Sequence, residues 1–146
     1  MRRVPHGVAV LTVSVAGERL GLTLDSLVSL SLDPPLVGVS IGRQAAMHEL
    51  LRDAGGFALN LLAGDQAALA QHFARGVPPI ALWQGIALRE SDGPPLLAGS
   101  LGWVGCHTTA EHPAGDHTLF VGQVDWVEQG EPTPPLLHVD GRYRGL

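Results

Sequence analysis

Several features that are common in proteins are scarce in this sequence of 146 residues. Its one cysteine, Cys106, cannot form a disulfide within the chain, which is consistent with a reducing compartment. Only 16% of the residues are charged, against roughly a quarter in typical soluble domains. We therefore expect much of the chain to be buried, either in its own core or by a partner.

The charge balance and the hydropathy pattern exclude two kinds of partner. The 9 Lys and Arg residues against 14 Asp and Glu give a net charge of -5, and no stretch forms the basic stripe that nucleic-acid binding needs. The longest apolar runs, such as 59–63, fall far short of the roughly 20 residues that cross a bilayer. Because the N-terminus also lacks the apolar core of a signal peptide, we expect a cytoplasmic protein.

The apolar pattern predicts one domain, 1–146, built mainly from strands. The first strand is expected to be buried on both faces, and 22–32 is expected to be a single extended segment in which hydroxyl and apolar side chains alternate. Turns are predicted at 16–19, 33–35 and 113–116. The predicted strands are 7–15, 36–41, 57–62, 86–88, 100–110, 117–129 and 136–140.

Two segments have the spacing of short helices. The first is 45–52, which Gly55-Gly56 should terminate. The second is 66–75, with Asp65 as the predicted N-cap and the glycine and prolines of 76–79 as its C-terminal end. Six or more strands with only two helices predict a mainly β fold, a Greek-key or closed barrel, because a parallel sheet would need a helix after nearly every strand.

The most informative segment is 21–37. A hydroxyl-rich stretch beginning Gly21-Leu22-Thr23 leads into Ser31-Leu32-Asp33-Pro34-Pro35-Leu36-Val37. This resembles the signature of the flavin-reductase-like family of FMN-binding split barrels, which includes the small reductase components of two-component flavin monooxygenases. The resemblance continues in order along the chain, at 1–8, 57–62, 115–117 and 141–143.

The resemblance implies a Greek-key split β-barrel that forms a homodimer, with a nicotinamide (NADH or NADPH) near His117 and with Tyr143 close by. It implies hydride transfer from NAD(P)H to the flavin, with a flavin-dependent monooxygenase as a partner that receives reduced flavin. FMN or FAD would be held along two segments, Thr23, Leu24, Asp25 and Ser26 in the first and Ser40, Ile41, Gly42, Arg43 and Gln44 in the second.

The residues of these two segments support the same interpretation. Backbone N–H groups and hydroxyls of 23–26 can face the polar edge of a heterocycle, although a solvated strand face rich in Ser and Thr is the alternative. Arg43 lies between a predicted strand and a predicted helix, so it and the helix amides can converge on a phosphate, unless it is a surface arginine. The chain departs from the family at 44–47, where hydroxyl residues are missing. Asp25 is also unusual, because a carboxylate beside a reduced flavin ring disfavours the negatively charged form of the ring unless a nearby cation balances the carboxylate.

His117 follows Gly115-Asp116, where glycine permits a left-handed turn and the carboxylate can fix the imidazole tautomer. With the roles that the resemblance implies for His117 and Tyr143, the catalytic candidates are His117, Asp116 and Tyr143, against the alternative that His117 is a plain turn residue. We expect no metal site, because the spacing of Cys106 and the histidines at 107, 112 and 117 matches no close ligand pair. The tryptophans at 83, 103 and 126 are interpreted as packing residues.

Two functions from different classes remain open on these grounds. The first is an NAD(P)H-dependent flavin reductase. The second is a flavin-binding or flavin-storing protein without reductase activity, which the missing hydroxyls at 44–47 favour.

Overall fold

The computed structural model describes residues 1–146 and is mainly β, as the sequence predicts. Its helices are α1 (Ala46–Ala54), α2 (Ala67–Ala74) and α3 (Pro79–Leu82), none of them long and apolar enough to cross a membrane. The strands are β1 (His6–Gly7), β2 (Ala9–Val15), β3 (Glu18–Leu24), β4 (Val28–Leu32), β5 (Pro35–Gly42), β6 (Gly56–Leu61), β7 (Leu88–Arg89), β8 (Leu96–Leu97), β9 (Gly102–Ala114), β10 (His117–Gln129), β11 (Leu136–Val139) and β12 (Arg142–Gly145).

Seven strands form one antiparallel sheet in the order β3-β2-β6-β9-β10-β5-β4. The sheet is not closed, since β3 and β4 are its two edges and do not pair with each other. The closed-barrel alternative is therefore wrong. A smaller sheet, β1-β11-β12, carries the C-terminal hairpin.

The main core lies between the sheet and α1. Strand β2 is buried from Ala9 to Val13, so the prediction of burial on both faces is confirmed for this part of the strand. One face of β2 contributes to the main core and the other packs under α2, where Phe73 is buried. The main core also includes Val39, Ile41, Met47, Leu51, Phe57, Leu59 and Phe120.

The single extended segment predicted over 22–32 is wrong. The chain forms two strands instead, since β3 pairs with β2 and β4 pairs with β5, and 25–27 links them. The preceding turn is also shorter than predicted, because Ala16 and Gly17 take positive φ angles of 49° and 83° and β3 begins at Glu18.

Several boundaries differ because hairpin turns are tighter than the sequence indicates. Strands β9 and β10 are joined by Gly115 and Asp116 alone, so β9 continues to Ala114. The predicted strand 136–140 ends at Val139, and an Asp140-Gly141 turn adds the unpredicted strand β12. Strand β7 lies at Leu88–Arg89 rather than at 86–88.

The helix termini also differ from the prediction. Asp65 is exposed and is not the N-cap of α2; the N-cap is Gln66, whose Oε1 accepts the N–H of Ala63 at 2.9 Å. Pro79 begins α3 instead of only ending the preceding helix, as its fixed φ allows at a first helical position.

Asn60 joins three segments inside the core. Its fully buried side chain donates from Nδ2 to the carbonyl of Val10 at 2.9 Å and to Oγ1 of Thr12 at 3.2 Å, and its Oδ1 accepts the N–H of Leu97 at 2.7 Å. The residue therefore connects β2, β6 and β8.

Replacing Asn60 by Ala leaves these buried donors and acceptors unsatisfied, so we expect the free energy of unfolding to fall by roughly 2–4 kcal/mol. Urea denaturation followed by tryptophan fluorescence measures this change. The control is Ser91→Ala, which removes two hydrogen bonds in an exposed turn and should cost less than about 1 kcal/mol. Equal losses in the two variants would contradict the prediction.

Candidate functional site

Strand β5 has one face in the core and one face outside it. Val39 and Ile41 are buried in the main core, so the alternation of side chains along a strand puts Gly38, Ser40 and Gly42 on the outer face. On the neighbouring strand β10, His117 lies opposite Gly42. The outer face of the sheet therefore carries small and polar residues of β5 beside an imidazole.

The two sequence segments expected to hold a ligand meet at Ser26 and Ser40. The Ser26 hydroxyl donates to the backbone carbonyl of Ser40 and accepts the N–H of the same residue, both at 3.1 Å. These two hydrogen bonds tie the linker 25–27 to the outer part of β5. Ile41, in contrast, points into the core and can contribute only its backbone to a site on this face.

Two residues of the first segment direct their side chains elsewhere. The hydroxyl of Thr23 donates to the carbonyl of Ala70 in α2 at 2.5 Å, and Leu24 is buried in the core. The expectation that the Thr23 hydroxyl faces a heterocycle is therefore corrected. Because β3 is an edge strand, its unpaired backbone groups are what this segment offers to a ligand.

The second segment is fixed to the turn between β9 and β10. The N–H of Arg43 donates to the carbonyl of Asp116 at 2.9 Å, and its guanidinium reaches the carbonyl of Gly115 at 3.5 Å. Gln44 is exposed. Helix α1 follows at once, and its N-cap, Ala45, makes no side-chain hydrogen bond, so the first amides of the helix are left for solvent or a ligand.

His117 is held by its neighbour in the chain. Its Nδ1 lies 2.7 Å from Oδ1 of Asp116, and this hydrogen bond, together with the imidazole's charge, holds the pKa of the Asp116 carboxyl below its usual value. The imidazole is about half exposed. A Cβ placed on Gly42 would meet only Nε2 of His117, at 3.9 Å, so the surface above Gly42 is open on the side of the imidazole.

Tyr143 belongs to a different group of side chains from His117. It lies across from His138 in the β11–β12 hairpin, with the two ring centroids 5.1 Å apart, and Nδ1 of His138 lies 2.7 Å from Oδ2 of Asp25. Burial, and then the charge of Asp25, raise the pKa of the Tyr143 hydroxyl. The structure therefore groups Tyr143 with Asp25.

Sequence reasoning missed His138. The signal that could have found it is the Asp140-Gly141 pair, which is typical of a two-residue hairpin turn and sets residues 138 and 143 opposite each other.

Cys106 and the adjacent His107 take no part in this site. Cys106 is buried while the adjacent His107 is exposed and pairs with Asp125 at 2.8 Å. Burial, followed by the charge of Asp125, raises the pKa of the Cys106 thiol to about 12, so it is not a nucleophile at neutral pH. No three His, Cys, Asp or Glu side chains are grouped as metal ligands.

The fold and the site together define a small protein with an open antiparallel sheet whose outer face carries small and polar residues beside a histidine. A family model, the flavin reductase like domain, matches residues 1–146. The chain therefore belongs to the flavin reductase-like family, as the sequence signature predicts.

Individual relatives agree with this assignment. The reductase component of 4-hydroxyphenylacetate 3-monooxygenase from Thermus thermophilus is 38% identical, covering 100% of this chain and 92% of the relative. An NADH-dependent flavin reductase from Rhodococcus is 38% identical over 99% of this chain and 81% of its own length.

Solved structures have the same fold. An NADH:FAD oxidoreductase from Streptomyces globisporus superimposes with a TM-score of 0.91 at 34% identity, covering 99% of this chain and 87% of that one. BorF, the flavin reductase component of a bacterial two-component tryptophan halogenase, gives a TM-score of 0.90 at 35% identity, covering 99% and 92%. The predicted split-barrel fold is confirmed.

The residues present fit a flavin. The surface above Gly42 is open, and the backbone groups of the linker 25–27, which make no backbone hydrogen bond within the chain, can bond to a polar ring edge. Arg43 and the uncapped start of α1 offer positive charge and N–H groups for a phosphate.

Proposed function

We propose that residues 1–146 form a single domain that acts as an NAD(P)H-dependent flavin reductase. The observation that carries the proposal is the pair of hydrogen bonds between Ser26 and Ser40, which joins the two candidate flavin segments beside the open surface that faces His117. Sequence relatives over nearly the whole chain carry the names of NADH-dependent flavin and FAD reductases, which supports the same activity.

Each part of the site has a separate task in this proposal. When bound, the flavin supplies the hydride acceptor. The unpaired backbone groups of the linker 25–27 orient its ring edge, and Arg43 with the first amides of α1 binds the phosphate. His117, held in one orientation by Asp116, positions the nicotinamide above the open surface. The protein forms no covalent bond in this scheme, so its contribution is to position two rings and exclude water between them.

A homodimer is the second element of the proposal. The aliphatic side chains of Val28, Leu30 and Leu119 converge over Gly38, where an added Cβ would lie 3.0–3.2 Å from them. Val28 and Leu30 are each 45% exposed. This outer apolar patch (Val28, Leu30, Gly38 and Leu119) continues along β5 to Ser40 and Gly42, so a second copy of the chain that covered it would also enclose the candidate site.

We further propose that the reduced flavin passes to a flavin-dependent monooxygenase, as the names of relatives that are reductase components of such systems indicate. A flavin carrier without reductase activity, which would bind the ring with the same residues, is the second candidate. If the purified protein oxidises NADH in a flavin-dependent way, it is a reductase. If it binds flavin but does not oxidise NADH, it is a carrier.

Replacing His117 by Ala should lower kcat/KM for NADH roughly tenfold, the effect of losing about 1.4 kcal/mol of transition-state stabilisation. The affinity for flavin should stay unchanged, because the imidazole lies on the nicotinamide side. Stopped-flow flavin reduction and flavin titration measure the two quantities. The control is His112→Ala, an exposed histidine of the same hairpin. An unchanged rate in the His117 variant would refute the role.

Replacing Arg43 by Gln should weaken binding of FMN roughly tenfold and leave riboflavin binding unchanged, because only FMN carries the phosphate that the guanidinium contacts. Quenching of flavin fluorescence measures both affinities. The matched control is Arg75→Gln, an exposed arginine at the end of α2. If the two flavins lost affinity equally, Arg43 would not be a phosphate ligand.

Replacing Leu30 by Arg should convert a dimer to a monomer, because a buried unpaired charge at an apolar interface is costly. Sedimentation velocity measures the mass, and Ile80→Arg is the control, since Ile80 is 88% exposed and lies in α3. A Leu30 variant that stayed dimeric, or a parent protein that was monomeric, would exclude this patch as the interface.

A further inference from the structure

Helix α1 contacts the start of β10 through a buried hydrogen bond. Nε2 of His48 lies 2.7 Å from Oγ1 of Thr118, and only 4% and 5% of these two residues are exposed. Two residues further along the same face of β10, the Phe120 ring packs edge-on against the imidazole, with the ring centroids 5.3 Å apart. His48 therefore contacts β10 at two successive positions of the strand face that is turned to the core.

The hydrogen bond between His48 and Thr118 requires no particular charge on the imidazole. Nδ1 of His48 lies 3.0 Å from Oε1 of Glu49, and because an ionised carboxylate only accepts, Nδ1 is the donor. This contact is the main cause of the lowered pKa of Glu49. The Thr118 hydroxyl can donate or accept, so it satisfies Nε2 whether or not that atom carries a proton.

Thr118 is the neighbour of His117 in the chain. Because side chains alternate along a strand, Thr118 faces α1 while the His117 imidazole faces the outer surface. On the other side of His117, the carbonyl of Asp116 accepts the N–H of Arg43 at 2.9 Å. The two residues that flank His117 are therefore each held by a hydrogen bond, one from the end of β5 and one from α1.

A second contact joins α1 to the same hairpin. Nε of Arg52 donates to Oε1 of Glu111 in β9 at 2.7 Å, but 48% and 33% of the two side chains are exposed. An ion pair that is open to solvent contributes little, whereas removing one partner of a buried hydrogen bond leaves the other unsatisfied. The contact between His48 and Thr118 is therefore the stronger of the two links between α1 and the hairpin.

We propose that His48 is a positioning residue of the reductase, because through Thr118 it fixes the start of β10 and with it the placement of the His117 imidazole beside the open surface above Gly42. The inference rests on the proposed function, in which His117 positions the nicotinamide. His48 acts only through this strand, since it lies between α1 and the core face of the sheet while His117 lies on the outer face.

The test compares Thr118→Val, which removes the hydroxyl at nearly constant volume, with Thr118→Ser, which keeps it. His48→Leu removes the other partner of the hydrogen bond. Thr12→Val is the matched control, because the Thr12 hydroxyl is also buried and donates to the carbonyl of Pro95 at 2.7 Å, in a strand that β6 and β9 separate from β10. Stopped-flow flavin reduction and flavin titration are measured, together with amide hydrogen exchange of 115–118 in the flavin-free protein.

We expect Thr118→Val and His48→Leu to lower kcat/KM for NADH roughly threefold to tenfold and to leave the affinity for FMN unchanged. Thr118→Ser and Thr12→Val should match the parent. In a His117→Ala background, Thr118→Val should have no further effect, because a residue that acts through the imidazole then has nothing left to position. Hydrogen exchange of 115–118 should be roughly tenfold faster in Thr118→Val and unchanged in Thr12→Val.

Equal losses of kcat/KM in Thr118→Val and Thr12→Val would mean that the hydroxyl only supports the fold, and the proposal would be overturned. The same holds if Thr118→Val lowered kcat/KM as much in the His117→Ala background as in the parent, or if it left the exchange of 115–118 unchanged. Failure of the proposed function is distinguishable, because the parent protein would then reduce no flavin, and the role of His48 would fall with it. Urea denaturation confirms that each variant is folded; if His48→Leu is not, Thr118→Val decides.

Discussion

The register of β5 against the core determines the geometry of the whole site. Val39 and Ile41 can be buried only if the residues between and beside them face outward, so the packing of two aliphatic side chains places Ser40 and Gly42 on the open surface. A slip of one residue would exchange the two faces and bury Ser40 and Gly42. The pairing of Gly42 with His117 fixes the imidazole in the same step. The positions of Ser40, Gly42 and His117 therefore follow from the packing of the core.

Much of this arrangement could be predicted from local patterns. Continuous apolar residues identify β2, and the Pro-Pro signature identifies the segment that contains Ser26. The alternation of hydroxyl and apolar residues over 22–32 misled the prediction, because the pattern continues across the linker while the pairing partner changes from β2 to β5. The direction of the Thr23 hydroxyl could not be predicted either, since its acceptor lies in α2, 47 residues away.

The partner of Asp25 is separated from it by 113 residues, so no local pattern contains it. A second carboxylate–imidazole pair, Asp116 with His117, involves adjacent residues and was predictable for that reason. In both pairs an imidazole Nδ1 lies 2.7 Å from a carboxylate oxygen, so the separation along the chain is what decides whether such a pair can be predicted from the sequence.

The two ends of the candidate flavin site differ in how firmly they can hold a ligand. The linker 25–27 is held against β5 by the hydrogen bonds of Ser26 to Ser40, so its own unpaired backbone groups could bind a ring edge with little loss of conformational entropy. The phosphate end offers one exposed arginine, Arg43, and the amides of an uncapped helix, with no hydroxyl at Ala45 or Ala46. A site of this kind would hold the ring in a fixed orientation and contact the phosphate through fewer groups. We infer that it suits a flavin that leaves after reduction, because the groups that align the ring for hydride transfer are different from those that would prevent its release.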